Sequence, residues 1–149
     1  AIAAKLAMTD EFKAYAHAIV DNSRALAETL LSRGFDLVTG GSDNHLILID
    51  LSNKDVPGKV AAQALDRAGM VGNYNSVPFD TRKPFDPSGI RIGTPAITSR
   101  GMGADEMKRL GNWMADVVED VDNESLIERV AGEIKDLCDQ FPAPGVPVH

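Results

Sequence analysis

The residues best suited to chemistry lie in the stretch 88–102, Ser-Gly-Ile-Arg-Ile-Gly-Thr-Pro-Ala-Ile-Thr-Ser-Arg-Gly-Met. Arg91 stands there between Gly89 and Gly93. Its guanidinium is a planar fork whose parallel donors match a carboxylate with two hydrogen bonds. The absent side chains at Gly89 and Gly93 would let a ligand approach the backbone. The same pattern also fits an arginine paired with one of the chain's own carboxylates. His45 opens an apolar run and reads as a ligand, a proton carrier or, most simply, a loop anchor. With three scattered histidines and one cysteine, the chain offers no metal constellation and no internal disulfide. That cysteine, Cys138, falls on the apolar face of a predicted helix and is expected to be a buried, inert thiol.

The elements that must position Arg91 follow from periodicity. Residues 89–93 form a short strand with Ile90 and Ile92 on one face and Arg91 on the other. Thr94 is placed to cap the next helical turn, and Pro95 suits its first position. Residues 1–8 are helix-forming. Thr9 then caps a second helix whose apolar positions Phe12, Tyr15, Ile19, Leu26 and Leu30 recur at helical spacing. Gly34 ends that helix; about 24 residues make a rod about 36 Å long, suited to a connector. His17 lies on its surface. A short strand at 35–38 and a turn at 39–44 lead into 45–51, His-Leu-Ile-Leu-Ile-Asp-Leu. This continuous apolar run predicts a central strand covered on both faces. A helix beginning near Pro57 and ending at Gly69 buries Val60, Ala64, Leu65 and Ala68, and 70–74 is extended. Residues 75–88, with Pro78, Pro84 and Pro87, form a long loop of the kind that carries function. It ends at the arginine strand, so loop and arginine are expected to face one cavity. Two amphipathic helices close the chain. The first carries Met107, Leu110, Met114 and Val117; the second starts at an Asn123 cap and carries Leu126, Val130, Ile134, Leu137 and Phe141. The tail 142–149 is proline-rich and cannot continue a helix.

The resulting fold class is α/β, an α+β sandwich: a small, mostly antiparallel sheet of three or four strands covered by helices on one side. The 149 residues suffice for one domain with a real core. A formal charge of −7 argues against a general nucleic-acid surface. No apolar run approaches the length of a bilayer span and no signal peptide is visible, so the expected location is cytoplasmic. The chain opens on Ala1 within a helix-forming run, which reads as the inside of a longer polypeptide.

The string GIRIGTPAITSRG at 89–101, with Asn-Ser-Val-Pro at 75–78 and TGGSDNHLILIDL at 39–51, resembles serine hydroxymethyltransferase, more narrowly its C-terminal part. The likeness runs in unbroken order from near residue 1 to about residue 120 and weakens through the last helix. It implies the small domain of a fold-type I pyridoxal-phosphate enzyme. Residues 1–33 would then be a connecting helix from a large domain, 34–141 the C-terminal small domain and 142–149 a tail. The implied reaction interconverts serine and tetrahydrofolate with glycine and 5,10-methylenetetrahydrofolate, in a homodimer or homotetramer. By this resemblance Arg91 holds the amino-acid carboxylate, which fixes the Cα bond that lies perpendicular to the cofactor ring. Asn75 would hydrogen-bond the folate pteridine, and Lys83, Pro84 and Phe85 would line the same pocket. Lys83 stands where many relatives carry a serine. Arg100 matches a second arginine, with an accessory substrate-binding or structural role.

None of the seven lysines sits in the Thr/Ser-rich His-Lys context that holds the cofactor in this family. The resemblance therefore implies that pyridoxal 5'-phosphate is held by the large domain, and that this stretch alone has no catalytic residue and is inactive. Two other readings remain. One is a non-catalytic α/β module that binds an acidic ligand through Arg91. The other is the small domain of another enzyme of the same fold type, such as an aminotransferase, although transamination has no use for a pteridine loop.

Overall fold

A computed structural model of the chain describes residues 1–145; the last four residues of the proline-rich tail lie outside the described residues. Helix α1 (Ile2–Ala7) buries no side chain, and α2 (Asp10–Ser32) follows. The Thr9 hydroxyl accepts from the Phe12 N–H at 3.2 Å and starts α2 as the sequence predicts. Gly34, at φ 73°, ends it in the left-handed conformation. The two halves of α2 differ. Leu26 and Leu30 are buried, whereas Phe12 is 43% exposed.

Strands β1 (Asp36–Leu37), β2 (Leu46–Asp50), β3 (Asn73–Asn75) and β4 (Gly89–Gly93) form one sheet in the order β1-β2-β4-β3. Every pairing is antiparallel. Directly paired residues share a face, so Leu37, Ile49, Ile90 and Tyr74 make one row, with Ile47 and Ile92 beside it. Helices α2 and α3 (Gly58–Arg67) pack on the sheet, α5 (Ala104–Glu119) lies against both, and α6 (Glu124–Gln140) closes over α3 and α5. The core between these layers contains Leu30, Ile47, Ile49, Leu65, Ile90, Met107, Val117, Val130 and Leu137. The predicted class stands: a small antiparallel sheet with helices on one side.

Several local expectations are corrected. β2 is central in order, yet only Ile47 and Ile49 are buried; Leu46 is 40% exposed on the other face. A continuous apolar run signals a covered strand, but a one-sided helix layer covers only alternate residues. The third strand comes later than 70–74, where pairing with β4 places it. In α3 the buried face is Ala61, Ala62, Ala64 and Leu65, with Ala68 just beyond, while Val60 points outward. Small residues there let α3 approach β4 closely. A Cβ added at Gly58 would lie 2.3 Å from the Gly89 carbonyl oxygen. Gly89 is equally confined: its Cβ would meet the Asn75 and Ile49 carbonyl oxygens, each at 2.8 Å. Gly89 therefore serves backbone packing and not the approach of a ligand.

Candidate functional site

The uncovered face of the sheet carries Leu46, Leu48 and Asp50 of β2, Arg91 of β4, and Asn73 and Asn75 of β3. Arg91 stands in the central row, between Leu48 and Asn73. It is exposed, and among the described residues no carboxylate forms an ion pair with it. A groove of about 480 Å³ opens beside it, lined by His45, Leu46, Asn73, Arg91 and Gly93 among others. A free guanidinium beside open space, on a strand held from both sides, is the arrangement a carboxylate ligand requires.

Asn75 lies on the same face as Arg91, one pleat further along the edge strand. Its side-chain amide donates to the Ser76 carbonyl at 2.8 Å. The adjoining loop, 76–88, is gathered around the Asp80 carboxylate. Asp80 accepts from the Ser88 N–H at 2.9 Å, the Arg82 N–H at 2.9 Å, the Ser88 hydroxyl at 2.7 Å and the Val77 N–H at 3.3 Å. These donors, the Ser88 N–H foremost, hold its carboxyl well below the usual carboxylate range. Arg82 also pairs with Asp86, which tightens the loop further. Lys83 and Phe85 sit together, with the ammonium 5.7 Å from the ring centre, and Phe85 is largely exposed. The loop thus presents Lys83, Pro84 and Phe85 on a rigid frame. Sequence reading found the loop but missed Asp80, whose part is visible only once residues 77, 82 and 88 are brought together.

The other sequence candidates fall elsewhere. Arg100 donates through Nε to the Phe141 carbonyl at 2.7 Å and through a terminal nitrogen to the Cys138 carbonyl at 2.9 Å. It satisfies the last carbonyls of α6, a contact that matches the structural one of the two roles expected for it. The His45 ring is exposed and not the loop anchor. Ser42, donating to the Leu46 carbonyl at 2.8 Å, and Asn44, accepting from the Leu46 N–H at 2.7 Å, hold that loop. Thr94 begins α4 (Pro95–Ser99) without capping it, because its hydroxyl donates across to the Ile19 carbonyl of α2 at 2.9 Å. Cys138 is half-buried.

No lysine lines the Arg91 groove. Lys54, the most buried of those in ion pairs, pairs with Glu119, and Lys13, Lys108 and Lys135 pair with carboxylates of their own helices. The Arg91 groove therefore offers no amine to anchor a pyridoxal phosphate. What the open face offers is an exposed guanidinium beside a groove at the Gly93 end of β4; loop 76–88 adjoins the Gly89 end and lines none of that groove, so the expectation that loop and arginine face one cavity is corrected. Among the described residues no cluster of His, Cys, Asp and Glu fits a metal, and no helix is long and apolar enough to cross a membrane.

Comparison with known proteins agrees with this geometry. The family profile of serine hydroxymethyltransferase matches residues 1–114. A serine hydroxymethyltransferase of Sorangium cellulosum is 61% identical over 146 residues, covering 98% of this chain and 34% of the relative. Those of Desulfotalea psychrophila and Acidothermus cellulolyticus are each 58% identical over 98% of the chain. The chain spans about a third of the length of these relatives, 34% to 36%. The profile match over 1–114 and 58% to 61% identity over 98% of the chain place it in the serine hydroxymethyltransferase family.

Proposed function

We propose that this chain supplies the substrate-carboxylate clasp and part of the folate pocket of a serine hydroxymethyltransferase. The complete enzyme would move the hydroxymethyl carbon of serine to tetrahydrofolate, leaving glycine and 5,10-methylenetetrahydrofolate. Arg91 would take the amino-acid carboxylate with its guanidinium fork, and Asn75 with 83–85 would face the pteridine. The pyridoxal 5'-phosphate of the family would be held by residues outside this chain, so no chemical step is assigned to the chain itself. Residues 1–33 would connect to the cofactor-bearing part, and the assembled protein would be a homo-oligomer acting in the cytoplasm.

The observation that carries this reading is the absence of a carboxylate partner for Arg91 among the described residues, beside an open groove on the face it shares with Asn75. Arg33, by contrast, is paired within the chain, with Asp116 at 2.8 Å and Glu119 at 2.9 Å. A ligand-binding arginine is left for the ligand.

The test grafts the 149 residues in place of the matching third of the Sorangium relative and compares Arg91→Lys with the unaltered chimera. Lysine keeps the charge and loses the fork. A buried, poorly paired substrate carboxylate should cost about 3–5 kcal/mol, or about two to four powers of ten in serine cleavage efficiency. The visible absorbance of the bound cofactor should be unchanged. Near-normal turnover and serine affinity in Arg91→Lys would overturn the assignment.

A further inference from the structure

We infer that a buried polar seam on α2, formed by Asn22, Ser23 and the Ile19 carbonyl, positions the Arg91 groove; this rests on the reading of Arg91 as the carboxylate clasp. Asn22, Ser23, Thr94 and Thr98 are all buried. Polar groups in such places are retained only when their hydrogen bonds are made, and each bond fixes a distance between elements.

The bonds reach the start of β2 and the segment that follows β4. On the β4 side, the Thr94 hydroxyl donates to the Ile19 carbonyl at 2.9 Å, and the Tyr15 hydroxyl donates to the Pro95 carbonyl at 3.0 Å. The Asn22 amide donates to the Thr98 hydroxyl and to the Met102 carbonyl, each at 2.9 Å. Thr98 in turn donates to the Thr94 carbonyl at 2.7 Å. On the β2 side, the Ser23 hydroxyl donates to Ser42 at 2.8 Å, and Ser42 donates to the Leu46 carbonyl at 2.8 Å. The strands also meet directly, for the Thr94 N–H donates to the His45 carbonyl at 3.2 Å.

His45, Leu46 and Gly93 line the groove, and Thr94 is three residues beyond Arg91. The seam therefore grips the first residues of β2 and the exit of β4 at the end where the groove lies. The ladder between β2 and β4 fixes those strands against each other, but apolar packing alone would leave α2 free to shift against them by a fraction of an ångström, because it has no direction. Directional bonds from adjacent residues of one helix remove that freedom. The same helix continues outward from the seam into its exposed half, so a displacement of that half would be transmitted to the groove through these bonds. Asn22, Ser23 and Thr94 are positioning residues, acting through Arg91 and the groove walls.

The test uses the chimera above and measures the dissociation constant for glycine, with serine KM and kcat and the melting temperature. Thr94→Val, Asn22→Leu and Ser23→Ala are compared with Thr94→Ser and with Val130→Ala, which opens a fully buried site in α6. Thr94→Val and Asn22→Leu should weaken glycine binding by about tenfold or more, since small displacements of a binding group have such effects. Ser23→Ala should act in the same direction, Thr94→Ser should restore binding, and Val130→Ala should lower the melting temperature without altering it. In the 149-residue chain alone, the amide resonances of Leu46, Arg91 and Gly93 should move in Thr94→Val and stay fixed in Val130→Ala, a readout that survives if the chimera fails to assemble. If Arg91→Lys weakens glycine binding while the seam variants only lower the melting temperature, the seam is structural and the inference falls. If Arg91→Lys leaves glycine binding unchanged, the clasp reading falls and the inference with it.

Discussion

Arg33 and Arg91 carry the same side chain into opposite situations. Arg33, at the end of α2, donates to Asp116 and Glu119 of α5, and Lys54 reaches the same Glu119 at 3.0 Å. Burial opposes ionisation of Glu119, but the hydrogen bonds and charges of Lys54 and Arg33 outweigh it and hold its carboxyl below the ordinary value. The cluster closes on itself and ties the sheet connection to the helical layer. Arg91 sits among Leu48, Asn73 and open space, and among the described residues no carboxylate pairs with it. The chain has 22 acidic residues, so the empty surroundings of Arg91 reflect where carboxylates were placed and not a shortage of them. An arginine that stabilises a fold and one that awaits a ligand differ in their neighbours.

That contrast is broken most severely by Arg91→Lys in the chimera, with its loss of about two to four powers of ten in serine cleavage. In the isolated chain the same substitution should leave the denaturant midpoint nearly unchanged, because no internal partner is lost. Gly89→Ala comes next. A methyl group against two carbonyl oxygens and Val77 should cost about 2–3 kcal/mol in urea unfolding, and a neutral result would return Gly89 to the role of ligand access. Arg33→Met should reverse the pattern of Arg91, costing about 1–2 kcal/mol in chain stability while serine affinity stays the same. Were serine binding lost with it, the separation between the two arginines would collapse. Arg100→Ala should remove about 1 kcal/mol and raise amide exchange at the end of α6; a large effect on serine affinity would assign it the accessory binding role instead.

The smallest effect concerns acid. The Asp80 carboxyl is held below its unfolded value, so its contribution is complete above about pH 4 and is lost as pH falls through the folded value. Amide protection of 77–88 should therefore persist to about pH 4 and decline below it. Asp80→Asn should leave the loop poorly protected at neutral pH and flatten that acid dependence. Strong protection in Asp80→Asn would assign the frame of the loop to something else, such as the Arg82–Asp86 pair.

Helix boundaries were legible along the chain, strand limits less so. Thr9, Gly34, Pro57, Gly69 and Asn123 mark boundaries through local backbone chemistry, which needs no distant partner. The sequence by itself also determined that Arg91 faces away from Ile90 and Ile92, since alternation is a property of any strand. What those faces meet depended on packing. The run 45–51 carries apolar residues on both sides, and nothing local says that helices cover one of them alone. Gly89 looks like room for a ligand until Asn75 and Ile49 are brought against it from either side. Thr94 has the chemistry of a cap, yet the Ile19 carbonyl, 75 residues away, takes its hydroxyl. Arg100 shares its motif with Arg91 and ends on α6, 38 and 41 residues on. Local propensity acts over a turn or two of chain, whereas a side chain's partner is settled by whichever element packing brings within about 3 Å.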